Sequence, residues 1–278
     1  ASAAEVEGRR SAAIAAGQLP DPALTIGVDN FPVSGPPAFS FNRDSMTMGR
    51  IGVEQAFPNP AKRRAQQGRA QADIGVAEAD LAVEAQDIRL ATALAWIDLF
   101  YAKRRLAQLD LLNDSLIDLQ ATVTARLASG SARPSQALEP EQLRAAIADR
   151  RTELQAEGTK ARTRLARWTG DPDVDVLGDA PVLDVDGPAL RAHVASLPRL
   201  QALDARVRTA DADVTLAQAD KRPDLRVSTS YGRRDPAYGD MVSVSVTIDL
   251  PFFGKRRQDP LIAARESDAR RAGFTREA

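Results

Sequence analysis

Along residues 59–130 an apolar side chain returns at every seventh position: Ile74, Leu81, Ile88, Ala95, Ala102, Leu109, Leu116 and Val123. No proline falls inside this repeat, and charged residues fill much of the space between. A helix over the whole stretch would be on the order of 100 Å long at 1.5 Å per residue. A strict seven-residue repeat in a 3.6-residue helix imposes a left-handed supercoil, so partner helices are required along the seam. Taken alone, the stretch reads as one strand of a coiled coil. Asn59 suits the N-cap, Pro60 the first helical position and Gly130 the left-handed C-terminal cap. Between Leu90 and Ala102 the helix becomes apolar nearly all round (Leu94, Trp96, Ile97, Leu99, Phe100, Tyr101), which predicts contacts on several sides.

Other periods flank it. Residues 1–18 read as the last turns of a helix, stopped by Gly17, Pro20 and Pro22. The period then changes to two: Leu24, Ile26 and Val28 share one face of a strand, with Thr25, Gly27 and Asp29 opposite. A Pro/Gly-rich loop over 31–44 leads to a second strand at 46–56, whose alternation slips near Gly49 and predicts a bulge there. After the long helix a return helix carries Ile147, Leu154, Ala161 and Trp168, again seven apart. Pro140 is awkward for a helix starting at Ser135, so its regular part is predicted to begin with Glu139 as cap. Trp168-Thr169-Gly170-Asp171-Pro172 stops it. An aperiodic acidic connector follows, then a third heptad stretch (Leu200, Leu203, Val207, Ala210, Val214, Ala217) ending at Pro223. Two strands come next, 225–231 and 241–250. The second alternates most cleanly: Val242, Val244, Val246, Ile248 and Leu250 against Ser243, Ser245, Thr247 and Asp249. A new helix begins after Gly254.

The two halves repeat. Leu19-Pro20-Asp21-Pro22 corresponds to Arg222-Pro223-Asp224-Leu225, a helix end followed by a strand. Phe57-Pro58-Asn59-Pro60-Ala61-Lys62-Arg63-Arg64 corresponds to Leu250-Pro251-Phe252-Phe253-Gly254-Lys255-Arg256-Arg257, a strand end followed by a basic helix start. The unit is therefore helix, β-hairpin, long helix, twice over, with a longer hairpin loop in the first copy. The predicted segments are 1–19 (end of an ascending helix), 20–58 (first hairpin), 59–169 (long helical hairpin), 170–188 (connector), 189–222 (second-repeat helix), 223–252 (second hairpin) and 253–278 (start of a second long helix). Both ends look cut through helices, so any targeting signal is expected outside this sequence.

Composition narrows the classes. The 37 basic and 38 acidic residues nearly balance among 278, which excludes the basic excess of a nucleic-acid binder. With no cysteine there is neither a disulfide framework nor a thiolate metal site. No apolar run is long enough for a membrane-spanning helix. Four strands with one apolar face and one Ser/Thr/Asp face suit a lipid-facing wall around a wet lumen. They cannot close alone, because membrane barrels need eight or more strands and lipid does not tolerate open edges.

The Leu19-Pro20-Asp21-Pro22 helix end, Asp29-Asn30-Phe31-Pro32, Met46-Thr47-Met48 and the Lys62-Arg63-Arg64 start resemble one family. So do the Arg126…Gly130-Ser131 tip, the Trp168-Thr169-Gly170 stop and Leu197-Pro198. The family is that of the TolC-type outer-membrane efflux channels, in particular the branch serving heavy-metal exporters of the resistance-nodulation-division class. The resemblance covers essentially the whole chain, through the order and spacing of motifs rather than any one of them. Pro140 departs from the pattern, and the tip of a second helical hairpin falls beyond the sequence. The implied fold is mainly α with β: coiled-coil helical hairpins forming an α-barrel in the periplasm, plus four strands given to a twelve-stranded trimeric β-barrel in the outer membrane. The implied function is a passive exit duct for metal cations (cobalt, zinc and cadmium, or copper and silver). The implied partners are two further copies of the chain, a periplasmic adaptor, an inner-membrane pump and outer-membrane lipid. On this reading Leu24, Ile26, Val28, Val242, Val244, Val246 and Ile248 face lipid, and Arg126, Leu127, Gly130 and Ser131 form the adaptor-docking tip. The alternative is a coiled-coil adaptor or scaffold protein of the periplasm.

Chemistry for catalysis is not apparent: no paired carboxylates, nucleophile elbow or phosphate loop stands out, so neither an enzyme nor a cofactor is expected. His193, near a helix start in the connector region, reads as structural or solvated. Met46, Met48 and Met241, all expected in strands, read as wall packing, with soft-metal binding as the other option. Lys62-Arg63-Arg64 and Lys255-Arg256-Arg257 read equally as lipid-phosphate contacts at a barrel rim or as solvated helix starts. Cations near a helix N-terminus oppose the dipole, which favours a role.

Overall fold

A computed structural model describes residues 2–131, 133–182 and 186–278; residues 183–185 of the expected connector, and Ala1, lie outside the described residues. Two compact units are formed, Ala1–Val83 with Ala192–Ala278, and Glu84–Arg191.

The first unit holds four strands, β1 (Ala23–Asp29), β2 (Met48–Phe57), β3 (Leu225–Arg233) and β4 (Met241–Ile248), in one antiparallel sheet of order β1-β2-β3-β4. Pairs such as Leu24 with Val53, Val53 with Thr229 and Thr229 with Val244 set the register across it. The period-two alternation thus carries through four strands without a phase error, as a shared face requires. The bulge expected at Gly49 is absent: Gly49 pairs with Val28 on one side and Arg233 on the other in unbroken ladders. Met48 also begins the strand later than expected, leaving Met46 in a turn; Asn30 Nδ2 donates to its carbonyl at 3.3 Å.

The helices of this unit are α1 (Ser2–Ala15), the opening of α2 (Pro60–Ala128), α5 (Pro198–Ala219) and α6 (Gln258–Glu277). Ion pairs order them as the strands are ordered: Arg10 with Glu78 (α1 to α2), Arg69 with Asp213 and Arg206 with Asp80 (α2 to α5), Arg276 with Asp204 (α5 to α6). Alanines dominate the buried positions (Ala65, Ala77, Ala202, Ala205, Ala219), so backbones approach closely around Val6, Ile74 and Ile262. Gly17 closes α1 at φ +69°, and its carbonyl accepts Nε of Arg63 at 2.7 Å. A Cβ there would lie 2.5 Å from the Arg63 carbonyl oxygen, so the position admits only glycine.

The second unit contains the rest of α2, α3 (Leu138–Thr169) and all but the end of α4 (Gly187–His193). Of the heptad positions, Ala95 and Ala102 of α2 and Leu154 and Ala161 of α3 are buried, with Leu99 and Leu165 beside them at 2% and 1% exposure, whereas Ile88 and Trp168 remain exposed. Trp96, Val174 and Val176 close the core of Ala95, Leu99, Ala161 and Leu165. Asp98 with Arg164, Arg105 with Glu157 and Asp110 with Arg151 mark an antiparallel helix pair. Leu90, Leu94 and Tyr101, in the stretch that is apolar all round, remain exposed. Pro140 is tolerated as the third residue of α3, where its missing N–H would have had no intrahelical acceptor; the helix therefore starts at Leu138 rather than being capped by Glu139. His193 ends α4 and stands at the N-cap of a 3-10 turn, Val194–Ser196, which divides the helical stretch expected from 189 and leads into α5.

One junction ties sheet and helices together. Asn59, at 7% exposure, accepts the Lys62 N–H on Oδ1 at 2.8 Å, the side-chain cap that starts α2. Its Nδ2 donates to the carbonyls of Ala219 and Arg222 and to Asp224 Oδ1, at 3.3, 3.2 and 3.0 Å. Its own N–H donates to Asp224 Oδ1 at 2.7 Å. Lys62 Nζ bridges Asp220 at 2.8 Å and Asp224 at 3.4 Å. Burial pushes the Asp224 carboxyl up, but the Asn59 hydrogen bonds and the Lys62 charge outweigh it and hold the group below its ordinary value. The hydrogen bond to Asp220, opposed by burial and helped by both carboxylate charges, raises Lys62. Lys62 is therefore held by carboxylates and Arg63 by the Gly17 carbonyl, while Arg64 stays exposed, its Nε donating to the Pro60 carbonyl at 3.3 Å.

Two outcomes follow. Asn59→Ala should cost about 1 kcal/mol for the cap and a further 1–2 kcal/mol or so for carbonyls left unpaired, read from the denaturant midpoint by circular dichroism. A depressed carboxyl contributes stability above its unfolded value of about 4, and that contribution is lost as pH falls through the lower folded value. Lys62, being raised, loses its contribution only at alkaline pH, above about 10.4. Asp224→Asn should therefore flatten the acid limb of the stability profile below about pH 4 and leave the profile from pH 6 to 8 parallel to the parent. An unchanged acid limb would show that Asp224 is not the titrating group.

Candidate functional site

The sheet has two unlike faces. Leu24, Ile26 and Val28 of β1 lie in register with Val53 and Ile51 of β2, then with Val227, Thr229 and Tyr231 of β3, then with Val242, Val244 and Val246 of β4. Phe57, Leu225 and Ile248 extend the same face toward the helices. This face is bare: Ile26 is 74% exposed, Val242 72% and Val244 70%, and Leu24, Val28, Val246 and Ile248 are also exposed. An apolar surface four strands wide without cover is unusual for a soluble monomer and marks an interaction surface. The opposite face carries Thr25, Asp29, Arg50, Glu54, Arg226, Ser228, Ser230, Ser243, Ser245 and Thr247. It is tied by ion pairs of Arg50 with Asp29 at 3.0 Å and Arg226 with Asp249 at 3.1 Å. Gly52 sits on it where a Cβ would come within 3.0 Å of the Ser230 Cβ.

All seven side chains singled out from the sequence on β1 and β4 share the bare face. Ile51, Val53, Phe57, Leu225, Val227 and Tyr231 belong to it as well. Their alternation is weaker along the chain, because Gln55 and Thr229 interrupt it, and only the ladder shows that they continue the surface. At the far end of the sheet Arg234 stitches the two hairpin loops: its guanidinium donates to the carbonyls of Gly239, Tyr238 and Ser45. Nothing in the sequence pattern marks that role.

β1 and β4 are the outer strands, each paired on one side only among the described residues. Below them, the two basic helix starts differ. Lys62 is held between two carboxylates, whereas Lys255 is exposed and without an ion pair among the described residues. Regular helix runs from Pro60 in the first repeat. In the second, a 3-10 turn at Gly254–Arg256 and a distorted Arg257 (φ −121°, ψ −60°) precede α6.

In the other unit, α2 ends in a Schellman turn. Gly130 stands at φ +73°; its N–H donates to the Leu127 carbonyl at 3.1 Å and that of Ser131 to the Arg126 carbonyl at 2.9 Å. The hydroxyls of Ser129 and Ser131 add two more bonds to the same Arg126 carbonyl. Arg126, Gly130 and Ser131 are exposed and Leu127 half-buried, and the Arg126 side chain has no ion-pair partner among the described residues. The four tip residues thus occupy one ordered turn with its backbone satisfied and its cation free.

Elsewhere chemistry is sparse. Among the described residues no group of three His, Asp or Glu is placed to hold a metal ion. No described helix is long and apolar enough to cross a membrane, which says nothing of a β-barrel.

Neither a protein-family model nor a curated protein sequence matches this chain. Solved structures do. The outer-membrane channel OprN matches over 99% of this chain with a TM-score of 0.77 at 19% identity. The outer membrane protein VceC from Vibrio cholerae matches over 99% with 0.76 at 17%. CusC, described for its transmembrane channel formation, matches over 99% with 0.63 at 15%. This chain spans 66% of OprN, 70% of VceC and 67% of CusC. At such identities the likeness concerns architecture alone: the chain has the TolC-like channel fold, a helix-rich body carrying a four-stranded antiparallel sheet.

Proposed function

We propose that this chain belongs to the outer-membrane duct of a tripartite efflux system, working with a periplasmic adaptor and an inner-membrane pump. The observation that carries this reading is the sheet: one bare apolar face, one polar face laced by ion pairs, and two unpaired edges. In water such a surface would aggregate; in a bilayer it is the outer wall of a barrel, provided that every edge finds a partner. Four strands per chain make twelve in a homotrimer, which is the stoichiometry the reading adopts. The polar face then lines a wet passage. The exposed Leu90, Leu94 and Tyr101 suit further helices packing around the pair α2 and α3, as in a helical tunnel. The location is the outer membrane, with the helices in the periplasm.

The cargo assigned is a metal cation, of the cobalt, zinc and cadmium or the copper and silver group. This rests on the motif order described above and on the presence of CusC among the similar structures. On this reading transport is passive and energised by the pump. An adaptor or scaffold would have no use for a bare sheet with an ion-paired reverse side.

Spin labels at Val244 and Ser245 of the full-length protein in lipid should differ: the first accessible to oxygen and shielded from a water-soluble relaxant, the second the reverse. Equal accessibility would overturn the wall. For the tip, Arg126→Ala and Leu127→Asp should leave expression and membrane insertion intact while resistance to the exported metal falls to that of a strain lacking the channel. Full export by both variants would remove the tip as the docking site.

A further inference from the structure

Three arginines, Arg64, Arg208 and Arg222, line a groove of about 730 Å³ between α2 and α5. No Asp or Glu side chain lines it with them. All three are exposed, and none has an ion-pair partner among the described residues, whereas Arg10, Lys62, Arg69 and Arg206 of the same helices are paired. The carboxylates where α5 meets β3, Asp220 and Asp224, are both held by Lys62. The floor is small and apolar: Ala65, Gly68, Ala72 and Gly75 recur three and four apart along α2. Such a floor by itself fits any close neighbour. The unneutralised guanidinium groups narrow the choice to an anion.

The hand of the chain decides which way the groove opens. The Asp249 N–H donates to the Asp224 carbonyl at 3.0 Å, so odd-numbered residues of β3 turn their own N–H and C=O groups to β2. For L-residues, the bare face seen with the helices below then runs from β1 on the right to β4 on the left. On α2, Arg63 and Glu78 meet α1, while Lys62, Arg69 and Asp80 meet α5. In a right-handed helix descending from β2, the face between those two contacts that holds Arg64, Gly68 and Gly75 turns toward the same viewer. The groove and the bare face of the sheet therefore open on one side.

Depth separates the three arginines. Arg64 stands four residues beyond Pro60, about 6 Å along the helix, and Arg222 three residues before Leu225. A bilayer of about 40–45 Å with a hydrocarbon core of about 30 Å leaves a headgroup layer of roughly 5–8 Å on each side. With Phe57 and Leu225 at the edge of the hydrocarbon, Arg64 and Arg222 fall in the phosphate layer. Arg208 lies fourteen residues before Arg222, about 20 Å further from the sheet and out of that layer. The Arg64 Nε donates to the Pro60 carbonyl, which leaves its terminal N–H groups for a ligand. The planar fork of a guanidinium matches phosphate oxygens in pairs.

We propose that Arg64 and Arg222 together bind the phosphate of a membrane glycerophospholipid whose acyl chains lie on the bare face beside Phe57 and Leu225. The site rests on the membrane-wall reading and deepens it by naming the lipid group that is held and the depth at which it is held.

The probe is a fluorescent phosphatidylglycerol added to the full-length protein in detergent. Unlabelled phosphatidylglycerol should displace it, whereas inorganic phosphate, or diacylglycerol with the same chains, should need at least about tenfold more. Arg64→Gln with Arg222→Gln should weaken binding at least about tenfold, Arg64→Lys with Arg222→Lys should recover part of the loss, and Arg208→Gln should stay within about twofold of the parent. Equal displacement by diacylglycerol removes recognition of the phosphate; equal displacement by inorganic phosphate makes this a site for soluble anions and overturns the lipid. Both competitions use the parent protein, so they stand if a variant fails to fold. Unchanged binding by the paired glutamine variant, or an equal loss in Arg208→Gln, removes Arg64 and Arg222 as the site. If the probe does not bind while a label at Val244 reports lipid, only the phosphate site is wrong; if that label reports water, the wall fails with it.

Discussion

Asn59 and Asp224 sit where three chain ends converge: the end of β2, the end of α5 and the start of β3. Helix ends leave backbone groups without partners, and burying them beneath a sheet is costly unless side chains replace the missing bonds. Asn59 does so in both directions, accepting from the first turn of α2 and donating to carbonyls at the close of α5. Asp224 adds an acceptor for the Asn59 N–H and a counter-charge for Lys62, which the helix dipole alone would disfavour. One asparagine and one aspartate, 165 positions apart, thereby join the two repeats and hold the sheet on its helices.

The sheet above this junction leaves a debt that the single chain does not settle. Its apolar face is wide, bare and in phase across all four strands, and its outer strands keep unpaired backbone groups. Both features become favourable under one condition, a bilayer around a closed ring of strands. The reverse face is polar and ion-paired, Arg50 with Asp29 and Arg226 with Asp249, so the two sides of the sheet suit different surroundings.

The second unit solves a different problem with simpler means. Seven-residue spacing brings small and branched residues of α2 and α3 into one seam, and exposed ion pairs along the flanks contribute alignment more than stability. The Schellman turn then ends α2 with its last carbonyls satisfied, so the four tip residues are displayed on ordered backbone.

Much of this was legible along the chain because it depends on local periods. The seam of α2 and α3, the cap at Asn59, the glycine at 130 and the alternation of β1 and β4 are each set by residues within a few turns or strand positions of one another. The repeat was legible for the same reason, since Pro20-Asp21 and Pro223-Asp224 end equivalent helices. Other features depended on which segments meet. Gly49 looked like a bulge because Met48 and Ile51 break the alternation, but pairing on both sides holds the strand regular. Lys62 looked like a surface cation because no nearby residue predicts a carboxylate from position 224. Ile51, Val53, Val227 and Tyr231 could join the bare face only once the ladder had set them beside β1 and β4. Periodicity reports which side of an element an apolar residue occupies; hydrogen-bond register and the convergence of distant chain ends decide what lies opposite, and those are properties of the folded chain alone.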